Sequence, residues 1–497
     1  MTAPVRKLSS DFIVYGVGEF VIKAFSLVTL PMYTRVFTTD QFGILSYVVT
    51  LGGLLGALLV LGGDTAYARY FFEARTLEHR QLITSTWIGF LAAWSALICL
   101  LILPFSFAIA QFSFGNADSV PLLIAVLLAG PVTLVNLMCA QVLRNQFRAW
   151  TYTILNVAST IILVTIIVAC VLWLRMGLLG VLGGTLIAQL LMLPIRLWTA
   201  RSMFVPHFSF SVLGALLRFG VPLVPTSLAY WVFLTSDRVV LERLSTLEQL
   251  GLYSVANSVI NLTNIAINAF GQAWTPHAIR LYEEHRDTAA AAYGRVMTYL
   301  MAGFGLIAVG LTVFAPEILG VLTGPAYHSA ASAVAPLAIA LVAMASTQVT
   351  AGGITLAKKT AYLSIFAWVA AGANLALNLL LDGPFGMIGA AWATAVAYIL
   401  LTLLYLVASQ RLWAIAYEVR RTSAVIVLIL GFTLLAGSLP SGSPVLVVLV
   451  KTLWCLAYVG GCVLLRAFDK RELDEIRGFL SRRRTDGAAE VTVRYDA

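Results

Sequence analysis

Apolar runs long enough to cross about 30 Å of hydrocarbon begin around Phe12, Phe42, Thr84, Val120, Tyr152, Leu178, Val212, Leu250, Val296, Ala330, Tyr362, Met387, Ser423 and Pro444. Short connections join them. Such a series constrains the fold to one class, because in lipid only a helix satisfies its backbone polar groups within its own segment and only a closed barrel does so between segments, and these runs are of helical length. An all-α integral membrane protein of about fourteen transmembrane helices is therefore expected. With 60% hydrophobic and 11% charged residues over 497 positions, a soluble domain could not cover the apolar surface.

Part of the chain is written twice. YTRVFTTDQFGILS from Tyr33 and LERLSTLEQLGLYS from Leu241 share Arg35/Arg243, Thr38/Thr246, Gln41/Gln249, Gly43/Gly251 and Ser46/Ser254 at one constant offset. A second echo matches Gly177-x-x-Gly180 to Gly386-x-x-Gly389 at nearly the same offset. Six helices separate the copies, and an even number gives both the same orientation, so two parallel six-helix lobes related by an axis along the membrane normal are expected, with the substrate path between them. The expected boundaries are 1–205 and 206–415 for the lobes, 416–467 for an appended helix pair, and 468–497 for a cytoplasmic tail.

Arg and Lys set the orientation. With the N-terminus cytoplasmic, 26 basic residues fall on the inner side and only Arg35, Arg175, Arg238 and Arg243 on the outer side, with Lys23 and Lys451 inside spans. The positive-inside rule then places both termini in the cytoplasm. The formal charge of +9 is mostly this orientation signal, so nucleic acid is not an expected partner. From Asp469, a helix with Leu473, Ile476, Phe479 and Leu480 on one side and Lys470, Arg471, Arg477 and Arg482 to Arg484 largely elsewhere is expected to lie on anionic membrane lipid.

Glu19 and Lys23 interrupt the first apolar run and no A-x-A site follows, so this run reads as a membrane helix rather than a cleaved signal. The five cysteines lie inside apolar runs without CxxC spacing, and the five histidines form no H-E-x-x-H. Neither a metal site nor a resident cofactor is expected.

The informative polar residues are those inside spans. Glu19 and Lys23, four apart on one face, read either as a self-neutralising pair or as a cation and a titratable carboxylate lining a cavity. Asn257, Asn261, Asn264, Asn268 and Gln272 are spaced 4, 3, 4 and 4, which on a continuous helix confines five amides to an arc of roughly 80°. They read as interhelical glue or as a passage for hydroxyl-rich cargo, since each amide both donates and accepts. Asp64 and Arg69 follow a glycine-rich run and suit a gate, a headgroup contact or a solvated pair. Asp237 and Arg238, beyond the helix breakers Pro222 and Pro225, suit a surface ion pair or an outer gate.

The Glu19/Lys23 helix, the LPMYTRVFTTDQFG loop, the GGDTAYARYFFE turn, SDRVVLERLSTLEQLGLYSVAN and AWTPHAIRLYEE together resemble the Wzx-type polysaccharide flippases of the MOP (multidrug/oligosaccharidyl-lipid/polysaccharide) exporter superfamily, over about residues 8 to 410. The resemblance implies a MATE-like pseudo-twofold fold, alternating access, and movement of an undecaprenyl-diphosphate-linked oligosaccharide from the inner to the outer face of a bacterial plasma membrane, for lipopolysaccharide, exopolysaccharide or another envelope glycan. The extra helix pair is similar to the lipid II flippase branch, where it accommodates the lipid tail; the first helix departs from that branch's arginine-rich pattern and carries Lys23.

In this reading Lys23, with Arg69 and Arg144, binds the diphosphate, and the amide stripe solvates the sugars. Glu19 is the site for a proton or sodium ion if coupling is needed, and a polysaccharide polymerase or other assembly protein is a prospective partner. The rival readings are a multidrug/cation antiporter of the same superfamily and a membrane glycosyltransferase or ligase. The short outer loops and lack of a DxD-like cluster speak against an enzyme. Lys23→Met, which removes the charge and keeps the length, is expected to abolish glycan export in a complementation assay at normal protein level; full export would refute the role given to Lys23.

Overall fold

The computed structural model describes residues 18, 21–22, 25, 28–114, 118–284, 286–439 and 444–465. All regular elements among them are helical, and twelve stretches are long and apolar enough to cross a membrane. The expected first span from Phe12 falls largely outside the described residues, as do Glu19, Lys23 and the basic tail from Asp469. Five helices carry the argument below: α1 (Thr39–Leu59), α2 (Val224–Leu244), α3 (Leu247–Asn261), α4 (Asn264–Glu284) and α5 (Ala361–Leu412).

At 52 residues α5 is far longer than one crossing requires, and its backbone leaves the helical region at Gly386 (φ 54, ψ −136). Both spans expected from Tyr362 and Met387 lie within it. The second sequence echo is explained here. Gly177 and Gly386 each hold a positive φ (60° and 54°), a conformation that costs a residue with a Cβ. Three residues on, a Cβ at Gly180 would stand 3.1 Å from the Cys170 carbonyl, and one at Gly389 would stand 2.3 Å from the Leu381 oxygen. Each G-x-x-G thus turns the chain and then lets the returning helix touch the one before it.

The described chain divides into two compact units, 1–269 with 317–333 and 364–397, and 270–316 with 334–363 and 398–497. In the first unit, an aromatic and aliphatic core around Tyr67, Trp87, Leu91, Met138 and Leu216 removes large apolar faces from lipid. Within it Tyr67 and Thr84 share a hydrogen bond of 3.0 Å. Arg196, which the sequence suggests is a cytoplasmic loop residue, is instead buried in the helix Gly177–Ala200. It donates to Asn156 Oδ1 (2.8 Å) and to the Asn136 carbonyl (3.3 Å), while Asn136 Nδ2 donates to Gln189 Oε1 (2.8 Å). These bonds tie three helices together, and amides rather than a carboxylate compensate the cation.

The same unit contains the crossing of α1 and α3, the helices that carry the duplicated segment. A Cβ at Gly43 would lie 2.1 Å from the Leu247 oxygen, and one at Gly251 would lie 2.0 Å from the Thr39 oxygen. Two backbones can approach this closely only where both residues are glycine.

In the second unit, Tyr293 packs edge-on against Trp274 (4.8 Å) and Trp413 (4.9 Å). The appended pair docks on the helix Arg286–Val313: Thr298 donates to Glu418 Oε2 (3.2 Å) and Tyr458 to the Ala302 carbonyl (3.1 Å). Glu418 also pairs with Arg421 at 2.8 Å.

Since overpacking a tight contact costs about 1–3 kcal/mol and here the obstacle is backbone, Gly43→Ala and Gly251→Ala should each lower Tm and the yield of monodisperse protein. Gly56→Ala, on the same helix with nothing within 4 Å of the new methyl, should leave both unchanged. Equal stability for the Gly43 and Gly56 variants in a thermal unfolding assay would refute the close crossing.

Candidate functional site

The duplicated segment builds two matching helix starts. Thr38 Oγ1 accepts from the Gln41 N–H (3.3 Å) and Gln41 Oε1 accepts from the Thr38 N–H (3.2 Å), a reciprocal cap. Thr246 Oγ1 likewise accepts from the Gln249 N–H (3.2 Å), but the Gln249 side chain turns to α5 and accepts from the Met387 N–H (3.1 Å). Below the caps, Ser254 Oγ donates to Ser46 Oγ at 2.7 Å across the crossing. The shared Thr, Gln, Gly and Ser positions are therefore mainly structural: they start, pin and join α1 and α3.

Beside this joint lies a cavity of ≈370 Å³. Its polar wall includes Thr29, Ser46, Thr50, Ser254, Ser258 and Asn261, with Tyr33 and Phe42 as aromatic faces and Arg238 from α2. The expected amide stripe only partly reaches it. A turn at Leu262 and Thr263 separates α3 from α4, so the five amides do not share one continuous helix face. Asn261 and Asn264 flank the turn and are joined by a hydrogen bond from Asn264 Nδ2 to Asn261 Oδ1 (2.8 Å), while Asn264 Oδ1 is buried without a partner. Asn257 is half-buried, and Asn268 and Gln272 are exposed, Gln272 in the second unit.

The remaining expected residues are spread out. Asp64 and Arg69 are exposed and not paired with each other: Arg69 binds Glu73 (2.8 Å) and lies over the Phe219 ring (4.6 Å). Arg144 is exposed at the end of the helix Val120–Asn145.

Asp237 departs furthest from expectation. It is buried, 4% exposed, and forms no ion pair with the Arg238 side chain among the described contacts. Its carboxylate accepts from the Tyr253 hydroxyl and from the Arg238 backbone N–H (2.8 Å). Around it, α5 contributes Asn374, Asn378, Asp382 and Thr394, of which the first three are at most 1% exposed. Ser236 donates to Asn374 Oδ1 (2.7 Å), Asn378 Nδ2 donates to the same oxygen (3.1 Å), and Tyr253 and Thr394 hydroxyls lie 3.4 Å apart. Asp382 is close enough to Asp237 for their charges to interact, and neither of its carboxylate oxygens has a hydrogen-bond partner.

The sequence reading passed over Asn374, Asn378 and Asp382, although they recur every four residues inside an apolar run, the same spacing that marks the amides of α3. An unpaired carboxylate in such surroundings costs several kcal/mol if ionised, and a second carboxylate nearby adds repulsion. Two chemical states relieve it: a proton on one carboxylate, or a small hard cation held by the carboxylate, amide and hydroxyl oxygens. The donor set, with no histidine or cysteine, suits either. No group of three or more His, Cys, Asp or Glu side chains that could hold a metal ion occurs among the described residues.

The family model described as "Polysaccharide biosynthesis protein" matches residues 8–282. Among solved structures, the chain resembles the lipid II flippase MurJ in an inward closed conformation, with TM-score 0.71, 14% identity, 90% of this chain and 98% of that one covered. It also resembles an inward-facing multidrug resistance MATE family transporter of the MOP superfamily (TM-score 0.64, 17% identity, 86% and 99% covered) and the Vibrio cholerae MATE transporter VcmN (0.54, 16%, 82% and 96%). No curated protein sequence matches the chain. At these identities the structures speak for the fold, and the family match spans more than half of the sequence. The chain is thus a multi-pass membrane protein of the polysaccharide biosynthesis protein family.

Proposed function

We propose that this protein flips a lipid-linked oligosaccharide, carried on undecaprenyl diphosphate, from the inner to the outer leaflet of a bacterial plasma membrane for envelope polysaccharide synthesis. The observation that carries the reading is the cavity at the α1/α3 joint. It gathers hydroxyls, an amide, two aromatic faces and a cation, the groups that bind sugars. The membership in a polysaccharide biosynthesis family supports it. A lipid-linked sugar has a head that cannot enter hydrocarbon and a tail that stays there, so a polar path open to lipid is enough, and no bond needs to be broken.

Asp237 and Asp382 are the proposed coupling site for a proton or sodium ion, in place of Glu19 or together with it. Alternating access would change their burial and with it their state, and a transported cation can bias a two-state equilibrium only through such a difference. Both termini are proposed to be cytoplasmic, from the distribution of Arg and Lys. The lobes at 1–205 and 206–415, the appended pair, and partnership with a polymerase belong to the same reading.

The buried carboxylates would also serve a cation-coupled drug antiporter. Deleting the gene separates the two: lipid-linked oligosaccharide should accumulate where an impermeant probe cannot reach it in intact spheroplasts, with drug sensitivity unchanged. Normal outward delivery with increased drug sensitivity would favour the antiporter. Asp382→Asn, which removes a buried charge and keeps the shape, should fold with an equal or higher Tm while transport in vesicles loses its response to an imposed proton or sodium gradient. An unchanged gradient response would remove Asp382 from the coupling site.

A further inference from the structure

We propose that the cavity at the α1/α3 joint is an oxyanion subsite, with Arg238 as the residue that holds a carboxylate or phosphate group of the sugar headgroup. The proposal rests on the flippase reading for the identity of the cargo, but the site itself is defined by its own geometry.

Arg238 projects from α2 into the cavity wall, and its Nε is buried without a hydrogen-bond partner. A buried cationic N–H left unsatisfied is costly, so the position calls for an acceptor from outside the chain. Among the described residues no carboxylate lines the cavity. The neighbouring Asp237 is already committed to Tyr253 and to the backbone of Arg238, and no salt bridge to the Arg238 guanidinium forms among the described residues. The guanidinium's planar fork matches carboxylate and phosphate, either of which it can grip with two parallel bonds.

The rest of the wall supplies what a sugar bearing such a group would need. Thr50 and Ser258 give their hydroxyl protons to the carbonyls of Ser46 and Ser254 (2.8 and 2.7 Å), so their oxygens are left to accept from sugar hydroxyls. The Tyr33 and Phe42 rings, 6.4 Å apart at their centroids, offer apolar faces to the C–H side of a pyranose. A volume of ≈370 Å³ falls within the range of small-molecule sites, about 300–1,000 Å³. Cation, acceptors and aromatic faces together select an acidic hydroxyl-rich ligand over a neutral sugar or an organic cation.

The test is thermal unfolding of the full chain in detergent, with glucuronate, glucose, inorganic pyrophosphate and sodium chloride at matched ionic strength. A ligand that binds only the folded state raises Tm with concentration. Glucuronate or pyrophosphate should raise Tm more than glucose or chloride. A response to glucuronate places the anion on a sugar, whereas one to pyrophosphate alone places it on the lipid diphosphate; both support an oxyanion subsite. Arg238→Gln should abolish the shift and Arg238→Lys, which keeps the charge without the fork, should weaken it; the lysine variant also carries the test if the glutamine variant does not fold. Arg420→Gln, at an exposed residue in the second unit, should leave the shift intact. Equal shifts for glucuronate, pyrophosphate, glucose and chloride, or an undiminished shift in folded Arg238 variants, would overturn the proposal. Because no transport is measured, anion binding that depends on Arg238 in a protein whose deletion leaves glycan delivery normal would refute the cargo and keep the site.

Discussion

The contact on which the first unit depends is the approach of two backbones at Gly43 and Gly251. Each glycine faces a carbonyl of the other helix at a distance that a methyl group would close, and the serines three residues on are joined across the gap at 2.7 Å. Past the serines, α1 and α3 border a cavity, and Thr50, Ser258 and Asn261 reach its wall. The duplicated sequence is the trace of this arrangement: the same capping threonine, the same glycine and the same serine, used once on each helix.

A second constraint comes from charge. Apolar helices tolerate an ionisable group where it is compensated, and the chain shows two solutions. Arg196 donates through both terminal nitrogens to an amide and a backbone carbonyl, with only its Nε left unpartnered. Asp382 has no such partner, sits near Asp237, and is surrounded by neutral oxygens. The first arrangement is a structural clamp. The second has a protonation or cation-binding equilibrium built into it, and that difference separates a core residue from a site able to respond to an ion gradient.

Much of this was legible in the sequence. The helical membrane class follows from run length alone, and the paired glycines marked both the joint and, through Gly177 and Gly386, the two sharp turns. Site residues were harder to read. The amides from Asn257 to Gln272 fit one helical face only if the helix is continuous, and the turn at Leu262 and Thr263 carries no proline or glycine to announce it. Asp237 beside Arg238 resembles a surface ion pair in sequence, because adjacent opposite charges usually are one. Which of the two faces the interior depends on α5, more than a hundred residues away. Asp382 was readable from its spacing with Asn374 and Asn378, but periodicity alone does not say which polar stripe meets another.

The most direct test of the account is headgroup transfer by the purified chain in liposomes. Undecaprenyl-diphosphate oligosaccharide would be placed in one leaflet, a proton or sodium gradient imposed, and exposure of the sugar followed with an impermeant glycosidase or lectin. The account predicts sugar exposure that requires the protein and accelerates with the gradient. Exposure at the rate of protein-free liposomes, in preparations shown to be folded and to transport organic cations against the same gradient, would contradict it.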